Sequence, residues 1–373
     1  MRKKLLLGLL LPTLLAGSFL AGFRNGLYKL FPYGAYKAIQ KEFSNNSSSS
    51  PPGFRNDQEI LDIAFTDPLN EYDNPLFQET NSIDSIHEKL ESLYVPVETF
   101  DHFYEDITIT SSSTQQTTPN TWIHSIKYNL AGKEYSAYAY FRKNESKNEN
   151  GFLLIPGSGL NQSSAIYHRD RTNYQHGILD LLGQYGEVFV LVKPNEDFLA
   201  IHNGRNKLNY NFIINHLLNR GGSYSALYVA HSLAFSKFIK TKYETTGVVG
   251  LSQGGRAAFL NALQSEPDIA IISSGFSFLF DKMQAGSHDQ IIIPCKCFAK
   301  YTEVDFVRRK ISNLKTKFLF SWGKGESDYY KYEAFTQYSC SLLNLPNTEC
   351  ILHDMGHVYP VEEIKDYMEK MGI

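Results

Sequence analysis

Cysteine is scarce in this chain: four residues in 373, Cys295, Cys297, Cys340 and Cys350, all in the last quarter. A zinc site needs more ligands at tighter spacing, so no metal is expected, and one or two disulfides are the remaining use. Cys295 and Cys297 would lie on one face of a strand but be held apart, so a bridge from one of them to Cys340 or Cys350 is expected. Charge of one sign is also missing. The formal net charge is −3, and Lys and Arg are mixed with Asp and Glu along the chain. That leaves no basic stripe for phosphate contacts, and no nucleic-acid partner is expected. Internal repeats are absent, and the turn Pro156-Gly157-Ser158-Gly159 is not followed by the Gly-Lys-Ser/Thr of a phosphate cradle. What is present is ordinary for a globular protein: 42% hydrophobic and 20% charged residues, enough for a sizeable core. The 24 Tyr and 25 Phe are scattered and read as core and surface filling.

The first 26 residues follow a separate logic. Arg2, Lys3 and Lys4 precede an uncharged stretch from Leu5 to Phe23, after which Arg24 appears. The basic-then-apolar order is what translocation machinery reads, and the apolar run nearly spans a bilayer. Residues 1–26 are therefore expected to be a signal peptide or an uncut signal anchor, with the folded body periplasmic, secreted or membrane-tethered. Ala16-Gly17-Ser18 offers small residues for cleavage, and both outcomes stay open. A lipid anchor is not supported, because Ser18 stands where a Cys would be needed. The linker at 27–54 contains Ser-Asn-Asn-Ser-Ser-Ser-Ser-Pro-Pro, too polar to bury anything. Residues 55–120, with a helix expected over Ser82–Leu93, read as an extension packing on the body.

From Trp122 onward the pattern is regular. Trp122–Asn129 and Glu134–Arg142 alternate apolar and polar residues around Ala131-Gly132, which predicts a hairpin. Short continuous apolar runs follow at Gly151–Ile155, Val188–Val192, Thr246–Leu251, Ile269–Ser273, Lys317–Trp322 and Glu349–Leu352. Such runs are strands buried on both faces. Helix-compatible stretches lie between them at Ile178–Leu182, Phe212–Leu218, Leu233–Ile239, Arg256–Leu263 and Tyr330–Leu343. The prediction is an α/β fold whose mostly parallel sheet carries helices on both faces, over residues 121–373. Phe276–Asp305 has weak periodicity and is the expected place for a lid or substrate-facing insertion.

The strongest local signal is Val248-Val249-Gly250-Leu251-Ser252-Gln253-Gly254-Gly255-Arg256, a Gly-x-Ser-x-Gly between a buried strand and a helix. A serine at a sharp strand-to-helix turn needs small neighbours on both sides, because the backbone is crowded there. At the other end, Glu349-Cys350-Ile351-Leu352-His353-Asp354-Met355-Gly356-His357 reads as a strand and then a Gly-His loop. Together these stretches resemble the nucleophile elbow and histidine loop of α/β-hydrolases of the serine esterase and lipase type, with the likeness covering about residues 120–373.

The resemblance implies Ser252 as nucleophile and His357 as base, with His353 the competing histidine. It implies an acid on the loop after the preceding strand, where Asp328 is the first choice and Glu326 the alternative. It implies oxyanion donors at the Gln253 N–H and, from Ile155-Pro156-Gly157-Ser158-Gly159, at the Ser158 N–H, with Gly159 as neighbour and Pro156 standing where many relatives have His. The expected activity is hydrolysis of a carboxylic ester, of a small molecule, lipid or carbohydrate, through an acyl-enzyme and without a cofactor. Acyl transfer and peptide cleavage on the same fold stay open, as does a non-catalytic, membrane-tethered binding protein.

Overall fold

The computed structural model describes residues 65–68, 78–79, 91–119, 121–143, 149–159, 161–197, 201–202, 206–208, 214, 217–276, 278, 296–324, 326 and 333–373. Residues 1–26, the linker, most of Ser82–Leu93, Asp328 and most of Phe276–Asp305 lie outside them. Among the described residues no helix is long and apolar enough to cross a membrane.

Strands β1 (Thr108–Thr118), β2 (Thr121–Leu130) and β3 (Lys133–Arg142) form an antiparallel meander. The β2–β3 turn is the expected Ala131-Gly132, with φ of 52° and 77°. Two consecutive positive φ values give the local twist that a two-residue hairpin needs; Gly132 adopts this freely, whereas Ala131 does so at a cost. The chain then alternates strand and helix through β4 (Asn150–Ile155), α1 (Gln162–Tyr167), α2 (Ile178–Tyr185), β5 (Glu187–Leu191), α3 (Tyr224–Lys240), β6 (Thr245–Leu251) and α4 (Gln253–Ser265). It ends with β7 (Ile269–Ser273), α5 (Val304–Ser312), β8 (Lys317–Gly323), α6 (Glu333–Leu342), β9 (Thr348–His353) and α7 (Val361–Lys370). The nine-stranded sheet has the order β9-β8-β7-β6-β4-β5-β3-β2-β1. Every pair from β9 to β5 is parallel, and β5 meets β3 antiparallel. The architecture is the mostly parallel, helix-covered sheet of the α/β-hydrolase fold.

The continuous apolar runs are explained by two cores, one on each face. Leu153, Ile155, Val248, Ala270, Ile272, Phe318 and Phe320 point to the face covered by α3 and α4. Their strand neighbours Phe152, Leu154, Val249, Ile271 and Leu319 point to the face covered by α1, α2 and α7. Each such large side chain contributes about 1.5–3 kcal/mol relative to leaving it in water, so neither alternate set can be polar.

Two regions differ from the sequence expectation. Strand β1 lies in the stretch read as an extension, and its sequence, TITSSSTQQTT, has no apolar alternation. It sits at the sheet edge and is held by polar cross-strand pairs, including Ser113 Oγ with Ser125 Oγ at 2.8 Å and Thr114 Oγ1 with His124 Nδ1 at 2.7 Å. Such polarity suits an exposed edge. Before it, Phe100 and Phe103 are fully buried, and Phe100 packs edge-on against Phe298 at 4.4 Å. The extension therefore completes the core. Further upstream, Phe65–Pro68 pairs with Asn206–Leu208, and Gln78–Glu79 with Ile201–His202.

Helix α3 also starts earlier than predicted. The Ser223 side chain accepts from the Ala226 N–H and caps it, and its hydroxyls find buried partners: Ser232 Oγ donates to the Val229 carbonyl, and Ser236 Oγ to Asn261 Oδ1. The polar letters that interrupt the apolar pattern are thereby satisfied inside the protein.

The cysteine expectation changes. Cys340, on α6, and Cys350, on β9, are free thiols side by side, because that helix packs on that strand; their hydrogen bond and burial push the Cys350 thiol up. On oxidation with glutathione disulfide, peptide mapping is expected to recover a Cys340–Cys350 crosslink. A crosslink from either of them to Cys295 or Cys297 instead would contradict this placement.

Candidate active site

Strand β6 carries its buried run directly into Ser252, whose backbone sits at φ 62°, ψ −126° before α4 begins. A non-glycine residue there stores about 1–3 kcal/mol of strain, and the surroundings must impose it. They do so through hydrogen bonds from the Ser252 N–H to the Ser273 carbonyl at 2.9 Å and from the Arg256 N–H to the Ser252 carbonyl at 3.0 Å. The motif glycines are required by space. A Cβ on Gly250 would run into the Gly254 carbonyl, and one on Gly254 into the carbonyls of Ile155 and Pro156. This crowding presses the elbow against the loop after β4, so Ser252, Gln253 and the Pro156–Gly159 loop share one end of the sheet. The neighbouring β4 and β6 carry chain to opposite sides there, the switch point where open α/β sheets bind ligands.

Strands β8 and β9 deliver the other two groups to the same end. A Cβ on Gly323, the last residue of β8, would meet the carbonyls of Met355 and Gly356, so the strand end and the histidine loop are in direct contact. His357 Nδ1 lies 2.9 Å from Glu326 Oε2, and the Glu326 side chain is 1% exposed. Among the described residues the carboxylate on this ring is thus Glu326, the alternative acid; Asp328, the first choice, lies outside them. The reason is local: Glu326 Oε1 accepts from the Gly323 N–H at 2.7 Å and from Ser274 Oγ, which folds its side chain back under the loop and aims Oε2 at the imidazole. Ser274 itself has φ 44°.

His353, the competing histidine, ends β9 and is buried, with neither ring nitrogen hydrogen-bonded among the described residues. Burial pushes its imidazole below the usual 6.5, outweighing the opposing pull of Glu326, Glu363 and Asp354. It is therefore neutral at neutral pH. Below about 6.5 the unfolded chain takes up a proton that the folded chain refuses, so the stability from this group is complete above that value. It is lost as the pH falls from there through the lowered folded value. His353→Phe is expected to flatten this acid sensitivity: its urea midpoint should drop less than wild type between about pH 7.5 and about pH 5. Equal drops would contradict the assignment.

The loop after β4 is held from several directions. Tyr228 Oη donates to the Pro156 carbonyl at 2.7 Å, Lys193 Nζ to the carbonyls of Gly157 and Gly159 at 2.9 Å each, and Tyr174 Oη to the Ser158 carbonyl at 3.0 Å. The Gly157 N–H donates to Gln175 Oε1 at 2.8 Å. The Tyr174 ring also stacks on His357, with centroids 5.6 Å apart. Sequence reasoning missed Ser274, Tyr174, Gln175 and Lys193. Only Lys193 left a trace, as a cation directly after a buried apolar strand. Among the described residues no cluster of three or more metal-ligating side chains occurs.

Neither a protein-family model nor a curated protein sequence matches the chain. Solved structures do. A carbohydrate esterase family 15 glucuronoyl esterase from Caldicellulosiruptor kristjansonii is similar at 10% identity, covering 85% of this chain and 93% of its own, with a TM-score of 0.46. A cold-adapted esterase from an Arctic intertidal metagenomic library is similar at 12% identity over 69% of this chain and 97% of its own, TM-score 0.45. S-formylglutathione hydrolase from Staphylococcus aureus is similar at 15% identity over 71% and 98%, TM-score 0.40. Likeness at these levels says nothing about chemistry, which rests on the site's own geometry.

Proposed function

We propose that the chain is a serine hydrolase that cleaves carboxylic esters through an acyl-enzyme on Ser252, with His357 as base and Glu326 as the orienting acid. The observation that carries this reading is the Glu326–His357 hydrogen bond at 2.9 Å, set at the same sheet end as a serine held at positive φ between two obligatory glycines. Glu326, as a carboxylate, only accepts, so the Nδ1 proton faces it and the Nε2 lone pair is left to take a proton. In the reaction, Ser252 Oγ bonds to the ester carbonyl carbon as its proton passes to His357 Nε2. The carbonyl oxygen becomes an oxyanion held by the N–H groups of Gln253 and Ser158. The imidazolium then protonates the departing alcohol. Water, deprotonated by the same nitrogen, cleaves the acyl-enzyme and restores Ser252. No cofactor enters any step.

The buried Glu326 argues for catalysis over a binding role: a carboxylate at 1% exposure is costly, and its remaining partners serve only to aim it at His357. The basic-then-apolar N-terminus supports export, with residues 27–54 as the tether or spacer. Turnover of aryl esters of short and long acyl chains tests the reading. Saturable hydrolysis of at least one chain length is expected, and folded protein that hydrolyses none would contradict it.

A further inference from the structure

Lys193 follows β5, and its side chain is completely buried. Burying an ammonium in such a place is expensive, so the contacts that hold it matter. Burial pushes it down to about 8, with the Glu196 carboxylate pulling the other way. Two of its hydrogen bonds go to backbone carbonyls of the loop after β4, those of Gly157 and Gly159. Glu196, on the same turn (Glu196 N–H to the Lys193 carbonyl, 2.8 Å), accepts from the backbone N–H groups of Gln162 and Ser163 and from Ser163 Oγ. These are the first residues of α1, whose N-terminal end attracts a negative charge. One buried turn thus grips the loop's carbonyls with a cation and the helix that ends the loop with an anion.

The consequence follows from peptide geometry. A trans peptide is planar, with its C=O and N–H pointing in opposite directions. The Gly157 carbonyl and the Ser158 N–H belong to the same peptide. When Lys193 draws that carbonyl inward, it turns the Ser158 N–H to the opposite side, away from the buried ammonium. The other anchored carbonyls do different work. Tyr228 on the Pro156 carbonyl sets the Gly157 N–H, which is consumed by Gln175, and Tyr174 on the Ser158 carbonyl sets the Gly159 N–H.

Resting on the hydrolase reading, we infer that Lys193 is the positioning residue of the oxyanion hole: its hydrogen bond to the Gly157 carbonyl fixes the Ser158 N–H toward the developing oxyanion, while Glu196 anchors the loop's far end through α1. Lys193 touches no substrate and acts only through this peptide.

The test compares wild type with Lys193→Met, and with Lys193→Gln, whose amide keeps donors at the site and is the milder change. Lys193→Met is expected to lower kcat by about 10²–10³-fold, the effect of losing one oxyanion donor, with KM changed by less than roughly threefold. Affinity for an aryl trifluoromethyl ketone, whose serine adduct carries the oxyanion, should fall in parallel with kcat. Lys193→Gln should recover part of both. A merely structural role would lower the thermal midpoint and the fraction of active sites while leaving kcat per titrated site intact, and that result overturns the inference. Should neither variant fold, the amide signals of serine-labelled wild type decide: the Ser158 N–H is expected to move downfield when the ketone adduct forms, and an unmoved Ser158 signal overturns the inference. Wild type that neither hydrolyses aryl esters nor forms the adduct would instead refute the hydrolase reading itself.

Discussion

Ser252→Ala is expected to lower kcat for ester hydrolysis by on the order of 10⁶-fold, with His357→Ala close behind and the double variant no worse than either single one. In the proposed mechanism the nucleophile and its base act as one unit. Without the hydroxyl there is nothing for His357 to deprotonate, and without the imidazole the Ser252 proton has no acceptor. Folding should be little affected by Ser252→Ala. The elbow is imposed by the backbone hydrogen bonds of Ser252 and by the glycines around it, and the alanine keeps the same Cβ at φ 62°. Steady-state rates on the best aryl ester, with circular dichroism to confirm the fold, check this. Losses that add between the two sites would mean that the residues act separately.

Glu326→Gln is expected to cost about 10³–10⁴ in kcat, more than its modest change in size suggests. The carboxylate accepts on both oxygens: Oε1 from the Gly323 N–H and Ser274 Oγ, Oε2 from His357 Nδ1. A carboxamide has one accepting oxygen, and the two donors at the Oε1 position hold it there. Its amino group then faces Nδ1 and donates to it. That selects the tautomer with the proton on Nε2, where it blocks uptake from Ser252. With Glu326 as the proposed acid, Asp328→Asn is expected to retain kcat within roughly threefold. The reverse ranking of the two variants would reassign the acid.

The difference between these two carboxylates shows what a sequence conveys and what it does not. The parallel sheet was legible because each strand from β4 to β8 is buried on both faces and so reads as an unbroken apolar run, while β9, at the sheet edge, is only half-buried. The elbow was legible because its steric demands reduce to glycines at fixed spacing. Ser252 follows such a strand and His357 follows the half-buried edge strand β9, so their positions came with the fold. The proposed acid, Glu326, follows β8 by three residues, where reach depends on how the backbone turns. The i to i+3 bond from the Gly323 N–H to Glu326, and the Ser274 hydroxyl arriving from another strand, have no one-dimensional pattern. Strand β1 escaped notice for a different reason: an edge strand needs no apolar face, and its Thr, Ser and Gln letters match those of a loop. Lys193 illustrates a third case, since its role depends on which carbonyls lie above it, and these come from a segment 34 to 36 residues earlier.

The central claim is that Ser252 is an activated nucleophile. Reaction of the folded wild-type protein with a fluorophosphonate probe, followed by peptide mass mapping, addresses it most directly. Stoichiometric labelling on Ser252, abolished in His357→Ala and strongly slowed in Glu326→Gln, is the predicted result. Folded protein that stays unlabelled, or that carries the probe on a residue other than Ser252, would contradict the claim.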